Sequence, residues 1–264
     1  MNYLVAAFYR FVDPAFTPES LEPTRTELKS KMLMLGIRGT ILLACEGVNG
    51  TVVGEAAQMR EFMTYLHSLP GLSDMQFKES IVDHIPFKRT LVKLKTALIP
   101  FGRGEVEVTI NPAKKTGKYL APKDLKAWLD QADPNLVLVD TRNNYEIKKG
   151  TFKGALDWNL RHFRDFPKAL DEHKKELAGK KVVMFCTGGI RCEKATAYAE
   201  DQGLDVYQVD GGILKYFEDV GGAHYQGDCF VFDYRVAVNP QLQPVQYETA
   251  FPDGREIDDL DGHI

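Results

Sequence analysis

Apolar and polar positions follow two different orders along this chain. YLVAAFYRF (3–11) is nearly continuous in apolar residues, as in a strand, whereas PESLEPTRTELKSKMLMLGI (18–37) repeats them at spacings of three and four, as in a helix that stops near Gly36. RGTILLAC (38–45) reads as a strand, EGVNG (46–50) as a turn built on Asn and Gly, and TVVG (51–54) as the strand continued. EAAQMREFMTYLHSL (55–69) has the pattern of an amphipathic helix ending before Pro70-Gly71, and MQFKES (75–80) predicts one more strand. The order β-α-β-β-α-β is ferredoxin-like, a sheet with both helices on one face. RTLVKLKTALI (89–99) adds an extended, alternately basic strand.

After a stretch rich in Gly, Pro, Lys and Thr the grammar changes. APKDLKAWLDQ (121–131), FPKALDEHKKEL (166–177) and CEKATAYAEDQ (192–202) read as helices. LVLVDTR (136–142), KKVVMF (180–185) and VYQVDG (206–211) are short apolar runs between them. Apolar strands alternating with helices imply a parallel sheet covered on both faces. The expected organisation is a ferredoxin-like, RNA-binding domain over 1–100, a linker over 101–117, an α/β domain over 118–232 and an acidic C-terminal tail over 233–264, extended and poorly packed after Asn239.

Composition changes this picture little and charge changes it more. With 264 residues, 44% hydrophobic and 27% charged, the chain has the make-up of a two-domain globular protein, and its apolar runs are too short to span a bilayer. No basic stretch precedes the apolar start, which reads as a strand rather than a signal peptide, so a cytoplasmic protein with no membrane partner is expected. Of the net charge of −4, the segment from Gln241 onward holds six acids against the single base Arg255, which leaves the body close to neutral. Within that body Lys88, Arg89, Lys93, Lys95, Arg103, Lys114, Lys115 and Lys118 gather against only Glu105 and Glu107. They form either a phosphate-binding patch or a solvated face.

The chemistry lies where the KKVVMF run gives way to a glycine-containing loop. Groups that act in open α/β sheets lie beyond the carboxyl ends of the strands, and Cys186 is the first residue after such a strand. Thr187, Gly188, Gly189, Ile190 and Arg191 then wrap toward a helix expected to begin near Cys192, where unpaired N–H groups and the helix dipole favour negative charge. Arg191 adds to the effect. A cysteine so placed should be a thiolate and a nucleophile. Cys192 is a packing residue or a resolving thiol; Cys229 reads as packed, and Cys45 is unassigned. The four cysteines form no CxxC pair and no cluster of zinc spacing, so no metal site is expected.

VDTRNNYEIKKGTFKGA (139–155) together with FCTGGIRCEKA (185–195) resembles the rhodanese domain, with an Asp-x-Arg strand end and a Tyr-Glu pair before the cysteine loop. With EGVNGT (46–51), these motifs are similar over nearly the whole chain to the tRNA uridine hydroxylase family. The resemblance to rhodaneses implies that Cys186 can carry a persulfide cradled by loop amides, and that Asp140 and Arg142 mark the mouth of the site or tie the loop to the scaffold. Four residues separate Cys186 from Arg191, where related phosphatases have five, which disfavours phosphatase activity. Thr151-Phe152 stands where rhodaneses have His-Ile, a departure that suggests a pocket not tuned to thiosulfate.

The family likeness implies O2-dependent hydroxylation of the wobble uridine of tRNA to 5-hydroxyuridine. O2 is then the co-substrate and tRNA the partner, while no cofactor, reductant or obligate protein partner is evident from the residues. Two other readings stay open: sulfur transfer through a Cys186 persulfide, and a non-enzymatic RNA-binding or regulatory module.

Overall fold

The computed structural model describes residues 2–102 and 110–246. They form two compact units: the chain up to Leu98 together with Phe232–Val236, and Ile99–Val231 together with Ala237–Val245. Arg103, Glu105 and Glu107 of the basic segment, and the acidic residues from Glu248 onward, lie outside the described residues.

In the first unit, β1 (Tyr3–Phe11), β2 (Arg38–Ala44), β3 (Gly47–Glu55), β4 (Phe77–Val82) and β5 (Thr90–Leu94) form one sheet in the order β4-β1-β3-β2-β5. The first four are antiparallel, and β5 joins β2 in parallel. Alternation decides which side is buried. Leu4, Ala6 and Phe8 of β1 and Ile41 and Leu43 of β2 point to one core, where Met32 of α1 (Pro18–Met34) and Phe62 of α2 (Ala56–Ser68) meet them. The ferredoxin-like expectation therefore holds, with the alternately basic strand reduced to Thr90–Leu94 at the sheet edge.

Phe232–Val236 packs on this unit. The Tyr234 N–H donates to the Pro86 carbonyl at 3.1 Å, and the Arg235 guanidinium forks onto Asp233 at 2.8 and 2.5 Å while donating to Ser80 of β4 at 2.8 Å. Asp233 through Val238 are all buried. The segment that the charge pattern assigns to the start of a tail is thus part of the fold, because its apolar residues and its internal ion pair precede the acidic run.

The second unit is built on a parallel sheet in the order β6-β11-β10-β7-β9, comprising β6 (Lys118–Leu120), β7 (Leu136–Asp140), β9 (Leu156–Asp157), β10 (Lys181–Phe185) and β11 (Asp205–Val209). Two short strands, β8 (Gly150–Phe152) and β12 (Tyr225–Gly227), pair antiparallel. A further small sheet holds β13 (Cys229–Phe230), β14 (Ala237–Val238) and β15 (Pro244–Gln246). Among the described residues the α-helices of the unit are α3 (Pro122–Asp130), α4 (Asn144–Ile147), α5 (Phe166–Leu177), α6 (Ile190–Asp201) and α7 (Gly212–Val220). No helix among the described residues is long and apolar enough to cross a membrane.

Helix α6 is buried on every side from Ile190 to Ala199, so its charged residues need partners. Glu193 accepts from Thr116 at 2.6 Å, from Tyr119 at 3.0 Å and from Gln208 at 3.2 Å, and Lys194 donates to the Ile99 carbonyl at 2.9 Å. Gly117 has no room for a side chain, since a Cβ there would lie 2.4 Å from Thr196. Residues 116–117, inside the expected linker, are therefore docked on the helix that carries the cysteine loop.

Candidate active site

The central strand β10 delivers Cys186 to the carboxyl edge of the sheet, with β7 on one side ending at Asp140 and β11 on the other ending at Val209. The loop then reverses over Gly189, whose φ of 101° is one that glycine tolerates and other residues rarely adopt, and α6 begins at Ile190. Periodicity alone places that start at Cys192. The earlier start puts Arg191 in the first turn, where its N–H has no carbonyl within the helix to bond.

These donors turn to the sulfur. The Gly189 N–H donates to Cys186 Sγ at 3.1 Å, and the Cys192 side chain and the Arg191 N–H also favour its ionised form by hydrogen bonding. From behind, the first turn of α7 holds the loop through Ile213 N–H to Cys186 O at 3.0 Å and Leu214 N–H to Thr187 O at 3.1 Å. Gly212 makes this approach possible, because a Cβ there would lie 2.5 Å from Cys186 O. Hydrophobic periodicity points to neither α7 nor Gly212.

Arg191 is fully buried and donates from both Nη atoms to Glu146, at 2.5 and 2.7 Å. Glu146 in turn accepts the Asn143 N–H at 3.0 Å and lies 3.3 Å from Thr187 Oγ1. This carboxylate is the residue that sequence reasoning leaves without a role. Its signals are the N-x-x-E spacing of Asn143 and Glu146 at the start of α4, and the need of a buried loop arginine for a counter-charge.

The electrostatic outcome is a thiolate beside a thiol. Burial is the largest influence on Cys186 and opposes ionisation, but the Cys192 hydrogen bond, the Arg191 charge and the Arg191 and Gly189 amides together outweigh it, lowering its pKa to about 5. Cys192 moves the other way, raised by burial and then by the hydrogen bond and charge of Cys186.

Asp140 and Arg142, expected at the mouth of the site, are buried and close on each other. Arg142 Nε donates to Asp140 at 2.9 Å and Nη2 at 2.6 Å, Nη2 also reaches the Gly150 carbonyl at 2.6 Å, and Thr151 Oγ1 donates to Asp140 at 2.7 Å. Phe152 packs its ring against Phe185, Tyr216 and Tyr225. The Thr151-Phe152 departure thus serves an ion pair and an aromatic core. Cys229 is fully buried and hydrogen-bonded by Thr187, with its thiol pushed up to about 12 chiefly by burial. Cys45, half-buried, packs on the core of the first unit.

The basic residues divide between the units. Lys88, Arg89, Lys93 and Lys95 lie on and around β5 in the first, with the Lys88 ammonium 4.9 Å from the centre of the Tyr234 ring. Lys114 and Lys115 belong to the second, where Lys115 pairs with Asp201, and Lys118 pairs with Asp205 at 2.8 Å.

A cysteine at the carboxyl edge of a parallel sheet, wrapped by amides at a helix start, defines a rhodanese-like domain, and residues 121–219 match that family, described as rhodanese-like domain. Residues 3–98 match the UPF0176 acylphosphatase like domain. The chain is 45% identical to the tRNA uridine(34) hydroxylase of Cupriavidus metallidurans over 92% of its own length and 86% of that protein's. It is 44% identical to that of Burkholderia cenocepacia over 95% and 89%, and 43% identical to that of Cupriavidus necator over 95% and 88%. It belongs to the tRNA uridine(34) hydroxylase family.

Proposed function

We propose that this chain hydroxylates C5 of the wobble uridine of tRNA with O2, and that Cys186 is the working group. The observation that carries the reading is a sulfur favoured as thiolate by Cys192, the Arg191 charge and the Arg191 and Gly189 amides, in a chain this similar to tRNA uridine(34) hydroxylases. Uracil is an electron-poor conjugated ring. A thiolate adding at C6 makes C5 an enolate-like nucleophile toward oxygen. The base must leave the anticodon stack to reach the loop, which costs little in a single-stranded segment.

Mass spectrometry of tRNA nucleosides from cells with and without the gene tests the reaction, and 5-hydroxyuridine should disappear with the gene. A tRNA carrying 5-fluorouridine at the wobble position should form a covalent adduct with the protein and none with Cys186→Ser. Conversion of uridine without any adduct would rule out covalent addition. If Lys93 and Lys95 hold tRNA phosphates, neutralising both should flatten the dependence of log affinity on log salt by about one to two units; an unchanged slope would make them a solvated face. Sulfur transfer is the competing reading, because the same amides would cradle a persulfide; release of thiocyanate from thiosulfate and cyanide by this protein, without 5-hydroxyuridine, would favour it.

A further inference from the structure

Hydroxylation by O2 places one oxygen atom on the ring and leaves the other to be reduced. Resting on the function proposed above, we infer that Cys186 and Cys192 are the source of the two electrons, a dithiol oxidised to a disulfide once per turnover.

The two side chains are held for each other. Gly189 joins the two: its N–H donates to Cys186 Sγ at 3.1 Å and its carbonyl accepts the N–H of Cys192, in the first turn of α6, at 3.0 Å, and each thiol acts on the ionisation of the other. Thr141 Oγ1 approaches the Cys192 sulfur at 3.6 Å. Both cysteines are fully buried. Cys229, the other cysteine of this unit, bonds the Phe230 carbonyl at 3.6 Å and remains a thiol.

The steps balance. Cys186 adds to C6, and the electron pair released to C5 bonds O2 as a peroxide, which takes the Cys192 proton. Cys192 sulfur then attacks the terminal peroxide oxygen; the O–O bond breaks, oxygen stays on C5, and Cys192 becomes a sulfenic acid. The C5 proton passes to the alkoxide oxygen left on C5, which becomes the hydroxyl, as the ring double bond reforms and Cys186 is expelled as thiolate. Cys186 attacks the Cys192 sulfur, the S–S bond forms, and hydroxide leaves, taking from solvent the proton that Cys186 had already given up. The sum is uridine, O2 and a dithiol giving 5-hydroxyuridine, a disulfide and water. An external dithiol resets the pair by exchange.

The order of events is built into the pair. Burial holds Cys192 in its thiol form, reinforced by the hydrogen bond and charge of the Cys186 thiolate. Once Cys186 has become a thioether, that charge is gone, while Arg191 and Thr141, which favour a Cys192 thiolate, remain. Addition of the first sulfur therefore removes part of what holds the second as a thiol, while burial continues to act against its ionisation.

The test is a single-turnover experiment on full-length protein, reduced, freed of reductant, and given tRNA with a wobble uridine in air. The expected result is no more than one 5-hydroxyuridine per chain, an equal amount of a Cys186–Cys192 disulfide by peptide mass spectrometry, and further turnover only when dithiothreitol is added. Cys192→Ser should lose 5-hydroxyuridine formation yet still form the adduct with 5-fluorouridine tRNA, which shows that it is folded and binds substrate. Product in excess of chains without any dithiol, product without the disulfide, or Cys192→Ser turning over at the wild-type rate would each overturn the inference. A wild-type protein that forms the disulfide in air but never 5-hydroxyuridine would instead remove the hydroxylase reading on which it rests.

Discussion

Two cysteines of the second unit share every crude descriptor. Cys186 and Cys229 are both fully buried, and each lies near an arginine that is itself buried and paired with a carboxylate, Arg191 with Glu146 and Arg142 with Asp140. Yet one is held down to about 5 and the other pushed up to about 12. For Cys229 burial dominates, and the charge of Arg142 is offset by Glu146 and Asp140. Burial is also the largest influence on Cys186, but two backbone amides and a second thiol add hydrogen bonds at the sulfur to the Arg191 charge. A neighbouring arginine alone does not make a nucleophile here; the Arg191 charge acts together with directed donors at a helix start.

The largest effect should come from removing the sulfurs themselves. Cys186→Ser should abolish 5-hydroxyuridine formation, while Cys229→Ala should retain it, with a loss confined to stability. A large-to-small change at a buried site leaves a small void worth about 1 kcal/mol or somewhat more. The checks are nucleoside mass spectrometry and urea denaturation; an inactive but folded Cys229→Ala protein would collapse the contrast.

Next in size is the removal of each arginine. Arg191→Met and Arg142→Met each strand a buried carboxylate and should cost about 3–5 kcal/mol by urea denaturation. The two should part in the pH profile of iodoacetamide alkylation of Cys186. In the wild type the folded thiol ionises near 5, below a free thiol at about 8.5, so reactivity persists down to that pH and is lost only below it. Arg191→Met should move this midpoint up, because a charge favouring the thiolate has gone. Arg142→Met should leave it where it is.

Much of this contrast is legible in the chain, for physical reasons that also explain what is not. The glycine pair after an apolar run identifies the Cys186 loop, because backbone reversal and helix initiation are local properties of Gly188, Gly189 and the residues after them. The helices 56–68 and 166–177 can be read from spacing because each buries one face. Glu146 cannot be paired with Arg191 from spacing, since 45 residues separate them and only the fold brings α4 to α6. Asp140 and Arg142, two residues apart, are adjacent enough to suggest an ion pair, but whether it lies at a mouth or in the interior depends on Gly150 and Thr151. The docking of Thr116 on Glu193 is hidden for a similar reason, as composition alone makes KKTGK look like a linker.

The smallest effect belongs to Thr187, the side chain that touches both sides of the comparison. Its hydroxyl lies 3.3 Å from Glu146 Oε1 and from the Phe230 carbonyl, and it hydrogen-bonds Cys229, favouring ionisation there. It is not among the largest influences on Cys186. Thr187→Val keeps the shape and removes the hydroxyl, and a hydrogen bond of this kind contributes about 1 kcal/mol net. Urea denaturation should register a loss of that order, recovered in Thr187→Ser. The Cys186 alkylation midpoint should not move, whereas Cys229, already a thiol at every ordinary pH, should become harder still to ionise. A Cys186 midpoint that rose in Thr187→Val but not in Thr187→Ser would show that Glu146 needs this hydroxyl to hold Arg191 against the sulfur, and the two cysteine sites would then be one network rather than two.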